Sequence, residues 1–137
     1  MRKYFLLIVT VIAFVSCSND DDANTTIPTS TRILGNWNWI SSVGGEDAVF
    51  LTPNIAGYTQ RLEFTADTVS YYFNEELMTE TPYTIEVQDS NIYDGTYEML
   101  LTEFEARNII EFDDNGTLIL IGDCADCWTT AYVKELE

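Results

Sequence analysis

The chain reads as an all-β protein: an eight-stranded antiparallel up-and-down barrel, preceded by a signal peptide and a flexible tether. Three observations carry that reading. Apolar and polar residues alternate with period 2 through eight short runs, the pattern of strands with one buried face. Most of the runs are joined by turns of hairpin length, and no segment shows a helical amphipathic period of useful length. An open sheet of that size would also expose two unpaired edges, which closing the first strand onto the last removes. At eight strands the interior is just wide enough to be filled by side chains or to hold one small ligand.

The first strand lies in Ile33-Leu34-Gly35-Asn36-Trp37-Asn38-Trp39-Ile40-Ser41-Ser42, entered through one helical turn at Ser30, Thr31 and Arg32. Alternation puts Trp37, Trp39 and Ser41 on one side and Asn38, Ile40 and Ser42 on the other. Each buried ring of this size removes roughly 150–250 Å² from water, about 4–6 kcal/mol before entropy is subtracted, so the tryptophan face is expected to organise the core. Gly44-Gly45 ends the strand and opens the longest connection, which turns at Pro53-Asn54 and reaches Gly57. Long connections in compact domains are often binding loops. Tyr58, Gln60, Leu62 and Phe64 then share a face, and after a turn at Ala66-Asp67 so do Val69, Tyr71 and Phe73. Asn74-Glu75 leads into a longer run from Leu77 to Gln88, with Tyr83, Ile85 and Val87 on one side. Pro82 within it cannot donate to a ladder and marks an edge or a bulge. A turn from Asp89 to Gly95 precedes Tyr97, Met99 and Leu101, and residues 103–106 connect to Asn108, Ile110 and Phe112. Asn115-Gly116 is the strongest short hairpin signal in the chain and leads to Leu118 and Leu120. The Cys124 to Cys127 turn then opens the last strand, Trp128 to Lys134.

At 137 residues there is room for one domain with a single core, and an apolar fraction of 46% with 13% aromatics suits a packed β globule. Only six residues are basic; Arg2 and Lys3 lie at the N-terminus, whereas all 23 acidic residues follow Cys17. From Cys17 onward four basic residues therefore face 23 acidic ones, a formal charge of −19. Such a surface repels nucleic acid and anionic headgroups, so the expected partners are neutral, cationic or metal-bearing, and no nucleic acid is expected. The same acidity also keeps an extracellular protein soluble and monomeric.

Residues 1–16 have the layout of a signal peptide: Arg2-Lys3, the apolar run Tyr4 to Val15, then Ser16. That run is shorter than the roughly 20 residues a transmembrane helix needs. Ser16-Cys17 resembles the lipobox of bacterial lipoproteins, with Phe14 where the family usually has leucine. The resemblance implies that Cys17 is lipidated and becomes the first mature residue, and diacylation plus N-acylation suffices for stable membrane anchoring. Residues 17–31, with Asp20-Asp21-Asp22 and a Thr-, Ser- and Asn-rich continuation, cannot bury enough apolar surface to order themselves and read as a tether. The acidic run beside the cysteine is similar to the export tag of surface lipoproteins in some Gram-negative bacteria. A calcium site is its alternative, although the run lacks the fixed loop of an EF-hand. The implied address is the cell envelope, at the outer membrane and on the cell surface.

Gly35-Asn36-Trp37 is similar to the Gly-x-Trp of lipocalins, whose tryptophan plugs the closed end of the barrel beneath a basic side chain from near the last strand. The matching residue is Lys134, where the family more usually has arginine. More closely, Ile33 to Lys134 resembles the lipocalin-like domains of small bacterial lipoproteins. Those share the form of Leu34-Gly35-Asn36-Trp37-Asn38-Trp39, a Gly-Gly pair, Thr52-Pro53, Gly57-Tyr58-Thr59 and Tyr132-Val133-Lys134. The chain is shorter than a full lipocalin and lacks its C-terminal helix. The resemblance implies a barrel domain over 32–137, closed by Gly35, Trp37 and Lys134, that takes a small, mostly apolar molecule in or at its mouth. Trp39, Tyr58, Gln60, Tyr71, Tyr97 and Tyr132 are the inward residues that would line such a site, and core packing accounts for each of them as well.

Catalysis is not expected. Without histidine the commonest general base is missing, and Ser-His and Cys-His pairs are ruled out. There is no Gly-x-Ser-x-Gly elbow and no phosphate-cradling glycine loop. Cys124-Ala125-Asp126-Cys127 lies in a strand-to-strand turn rather than at a helix N-terminus, which argues against a redox motif, and it supplies only two of the four ligands of a structural zinc. A disulfide pinning the last hairpin and a pair of free thiols are the readings left. No cofactor or metal is expected. The alternative to a binding module is a structural or interaction lipoprotein of the envelope with a filled barrel.

Overall fold

The computed structural model describes residues 27–136 apart from Glu105; the expected signal peptide, Cys17 and the acidic run of the expected tether lie outside the described residues. The elements are α1 (Thr29–Arg32), β1 (Gly35–Gly44), β2 (Val49–Leu51), α2 (Pro53–Ala56), β3 (Gln60–Phe64), β4 (Thr68–Phe73), β5 (Glu76–Asp89), β6 (Thr96–Thr102), β7 (Arg107–Phe112), β8 (Leu118–Gly122) and β9 (Thr129–Lys134). From β3 to β9 each strand pairs antiparallel with the next in sequence, while β1 pairs with β3 on one edge and with β9 on the other. Eight strands therefore close into a barrel. The first and last strands meet in register, Trp37 opposite Lys134 and Trp39 opposite Tyr132.

The long connection after Gly44 is more ordered than the sequence suggests. Val49 to Leu51 form β2, a ninth strand that pairs with Ser42 to Gly44 above the start of β3. Thr52 then accepts a hydrogen bond from the Ile55 N–H as the N-cap of α2, Pro53 fills its first turn and Gly57 ends it at φ +75°. These caps fold the connection down across the β1 end of the barrel.

Alternation delivers a packed interior. Trp37, Trp39, Leu62, Phe64, Val69, Leu100, Ile110, Leu118, Leu120 and Tyr132 join Ile33 in one buried cluster. Trp37, only 2% exposed, closes the lower end. Its Nε1 donates to the Ile33 carbonyl at 2.6 Å, its ring meets Phe112, and the Lys134 ammonium stands 5.3 Å from the ring centroid, inside cation–π range. Gly35 permits this arrangement. Its φ of +109° disfavours any other residue, and a Cβ there would come within 3.2 Å of the Lys134 stem.

Two details of face differ from simple alternation. A bulge between Trp39 and Ser41 adds one residue to β1, so Ser42, not Ser41, comes round to the tryptophan side. On β6 the inward residue is Leu100, which pairs with Ile85, whereas Met99 lies on the opposite face against Ile109, both buried. Their burial coincides with the return of the β5–β6 tip against β7 and β8. Asp123, its side chain fully buried, accepts from Ser90 Oγ at 2.5 Å, the Asn91 N–H at 2.9 Å and Arg107 Nε at 3.1 Å. Arg107 in turn donates to Gln88 and to the Asp89 carbonyl. Burial alone would push the Asp123 carboxyl up; the bonds from Ser90, Asn91 and Arg107, with the guanidinium charge, outweigh it and hold the group below the usual carboxylate range.

Candidate functional site

At the end of the barrel opposite Trp37, the last turn of β1, β2, the start of β3 and the start of β9 surround a cleft of about 250 Å³. Trp39, Ser42, Leu51, Tyr58, Gln60, Trp128 and Thr130 line it. Its floor is the Trp39 ring, 4% exposed, with Tyr58 stacked on it at 5.4 Å and 14°. Phe73 takes the Tyr58 ring at 4.8 Å. Both rings are thus held by neighbours, whereas Trp128, 39% exposed, stands at the rim.

Glycines seat Trp128. A Cβ on Gly44 would lie 2.7 Å from Trp128 Cα, 2.8 Å from the Cys127 carbonyl and 2.9 Å from Trp128 Cγ. One on Gly122 would lie 2.5 Å from Cys127 Cβ. Only bare backbone at these positions lets the β8–β9 turn sit against β1 and β8, and Cys124 and Cys127 are bridged across that turn with Cα atoms 5.3 Å apart.

The polar groups of the cleft form a directed chain. Trp39 Nε1 donates to Ser42 Oγ at 2.8 Å, and Ser42 Oγ donates to Thr130 Oγ1 at 3.1 Å, leaving the Thr130 proton as the terminal donor. Among the described residues every buried side-chain polar atom has a partner. The Tyr58 hydroxyl and the Gln60 amide make no hydrogen bond to a described residue, so they open onto solvent. No charged side chain lines the cleft. Covering one of these polar groups without replacing its water costs about 1–3 kcal/mol, so an occupant without polar atoms is penalised several times over.

Of the residues expected to line a site, the structure brings Trp39, Tyr58 and Gln60 together in the cleft. Tyr71 and Tyr132 lie deeper, on β4 and β9. Burial raises both phenols; Tyr132, the more deeply buried, is raised first by burial and then by the neighbouring Tyr71. Tyr97 is not in the site: its hydroxyl donates to the Asp94 carbonyl and its ring meets Tyr93 edge-on, because β6 turns Leu100 inward instead. Sequence reasoning missed Ser42, Leu51, Trp128 and Thr130. The Gly44-Gly45 pair was the one signal for Trp128, since paired glycines at a strand end mark a close approach.

No family model, curated protein or solved structure matches this chain. The molecule is therefore defined by its own architecture, a closed eight-stranded antiparallel barrel with a filled interior and a cleft at one mouth.

Proposed function

We propose that this chain is a lipid-anchored, lipocalin-like binding protein of the bacterial cell envelope that holds a small neutral molecule at the open mouth of its barrel. The mouth cleft supports the reading: ring walls, three unspent polar groups and no charged side chain converge in one concave place. The ligand sits at the mouth because the core side chains fill the interior below Trp39. Lipidation at Cys17 rests on the lipobox-like Ser16-Cys17 and the acidic run that follows. A molecule with one apolar face suits the rings, and polar atoms at its edge suit Gln60, Tyr58 and Thr130. The test is native mass spectrometry of the full chain extracted gently from its host membrane. A retained small molecule, lost in a Trp128→Ala variant, is the expected result; a bare chain under the same extraction argues against the proposal.

A second reading, an envelope interaction protein, is favoured by exposed apolar side chains at the same end: Phe50 on β2, Ile55 on α2, and Leu77 with Met78 at the start of β5. Large exposed apolar side chains, where they are contiguous, mark protein contacts. Cross-linking that recovers a defined envelope protein, lost on Phe50→Ser with Ile55→Ser, would favour this reading over the first.

A further inference from the structure

Resting on the proposed mouth site, we infer that its ligand is a neutral polyhydroxylated ring, a single pyranose unit, laid with its C–H face on Trp128. Four features of the cleft narrow the class. The first is volume. At about 250 Å³ the cleft holds the equivalent of about eight waters, enough for one substituted six-membered ring.

The second is charge. No cation lines the cleft, and the four basic side chains of the barrel domain are engaged elsewhere. Arg32 lies over Phe112, Arg61 over Tyr72 and against Glu75, Arg107 on Asp123, and Lys134 over Trp37. A carboxylate or phosphate ligand would find no counter-charge there and would approach a strongly acidic surface. Fatty acids and phosphorylated ligands are disfavoured on that ground.

The third is ring faces. Tyr58 stacks on Trp39 and is tilted against Phe73, and Trp39 is buried, so both rings are largely spent on their neighbours. Trp128 rests on Gly44 and Gly45 and is the lining ring with substantial exposure. Its exposed indole is where a flat apolar surface of a ligand would be laid.

The fourth is the unspent polar set. The Thr130 proton at the end of the Trp39–Ser42 chain, both ends of the Gln60 amide and the Tyr58 hydroxyl need partners that donate as well as accept. Hydroxyl groups around a ring do both, whereas an apolar aromatic does neither and leaves these groups stranded.

The experiment titrates the full chain in neutral detergent with D-glucose, D-galactose, D-mannose and N-acetylglucosamine, and separately with indole as a neutral apolar ring. Tryptophan emission and isothermal calorimetry are the readouts. At least one sugar is expected to saturate and to shift the emission, with binding at least tenfold weaker in Trp128→Ala and in Gln60→Leu. Tyr97→Phe, which lies outside the cleft, serves as the folding and affinity control. Indole saturating while no sugar does, with Gln60→Leu binding it as well as the unaltered chain, overturns the sugar assignment and leaves the mouth site standing. Sugar binding unaffected by Trp128→Ala and by Gln60→Leu, both folded by near-ultraviolet circular dichroism, overturns the placement. No saturable binding of any of these probes at millimolar concentration overturns the inference and counts against the mouth site as well.

Discussion

Gly44→Ala tests the joint that holds the cleft together. Gly44 sits in ordinary strand conformation, so the substitution costs nothing in backbone strain, and its whole effect is steric. The added methyl would stand 2.7–2.9 Å from Trp128 Cα, the Cys127 carbonyl and Trp128 Cγ, about 1 Å inside normal carbon contact, and two of the three are backbone atoms. Overpacking of this kind costs typically about 1–3 kcal/mol, and the backbone contacts put this case near 2–3 kcal/mol. For a domain of this size that is a fall in Tm of about 8–12 °C. Gly122→Ala presses on the other side of the same turn and should cost a similar amount, while the double variant should cost less than the sum because one displacement of the turn relieves both clashes. Thermal unfolding followed by circular dichroism measures the stability term. Acrylamide quenching measures the position of the turn, since Trp37 and Trp39 are shielded and Trp128 is the accessible ring. Gly95→Ala is the contrast: its φ is +110° with open space around it, so it should lose about 1–2 kcal/mol to backbone strain and leave the quenching unchanged. A Gly44→Ala variant with unaltered Tm and unaltered quenching would refute the argument that bare backbone at this position seats Trp128.

Asp123 has a lowered folded pKa, so its contribution is fully present above the unfolded value near 3.9 and is lost as pH falls through the folded value. Urea unfolding at pH 7, 4 and 3 should show Asp123→Asn destabilised at pH 7 and less acid-sensitive below pH 4 than the unaltered chain. Tyr132 behaves in the opposite sense: burial, then the neighbouring Tyr71, raises it, so stability should decline as pH climbs above about 10, where the unfolded phenol ionises, and Tyr132→Phe should flatten that decline. Replacing both Cys124 and Cys127 by serine opens a very short loop and should cost about 2 kcal/mol by the chain-entropy account, read as a lowered urea midpoint with unchanged m-value.

The strands were legible because each carries its own period. Leu62 and Phe64, Ile110 and Phe112, and Leu118 and Leu120 each declare an inner face without reference to any other part of the chain. The period fails where both faces are apolar. Tyr97, Met99 and Leu101 alternate with Leu100, so either set could face inward, and the choice follows from the tip of β5–β6 returning to Asp123 and Arg107, far along the sequence. Ser41 and Ser42 present the same difficulty in miniature, since a one-residue bulge leaves no mark in a stretch of small polar residues. The cleft was half legible. Trp39, Tyr58 and Gln60 sit on strand faces that alternation assigns, whereas Ser42, Leu51, Trp128 and Thr130 reach it through a bulge, an added strand and a turn.

What the sequence determined by itself was the set of antiparallel strands and a large ring on the inner face where the first one begins, since alternation fixes side-chain direction locally; the ring's place as the lower stopper was implied by the resemblance of Gly35-Asn36-Trp37 to the lipocalin Gly-x-Trp. What only the tertiary structure decided was the upper mouth. There the outcome depends on approach between Gly44, Gly122 and the Cys127-Trp128 turn, and on a carboxylate at Asp123 capturing a distant hairpin tip. Distances of this kind arise from the closure of the ring of strands, which sums the twist and register of all eight, and no single segment contains that sum.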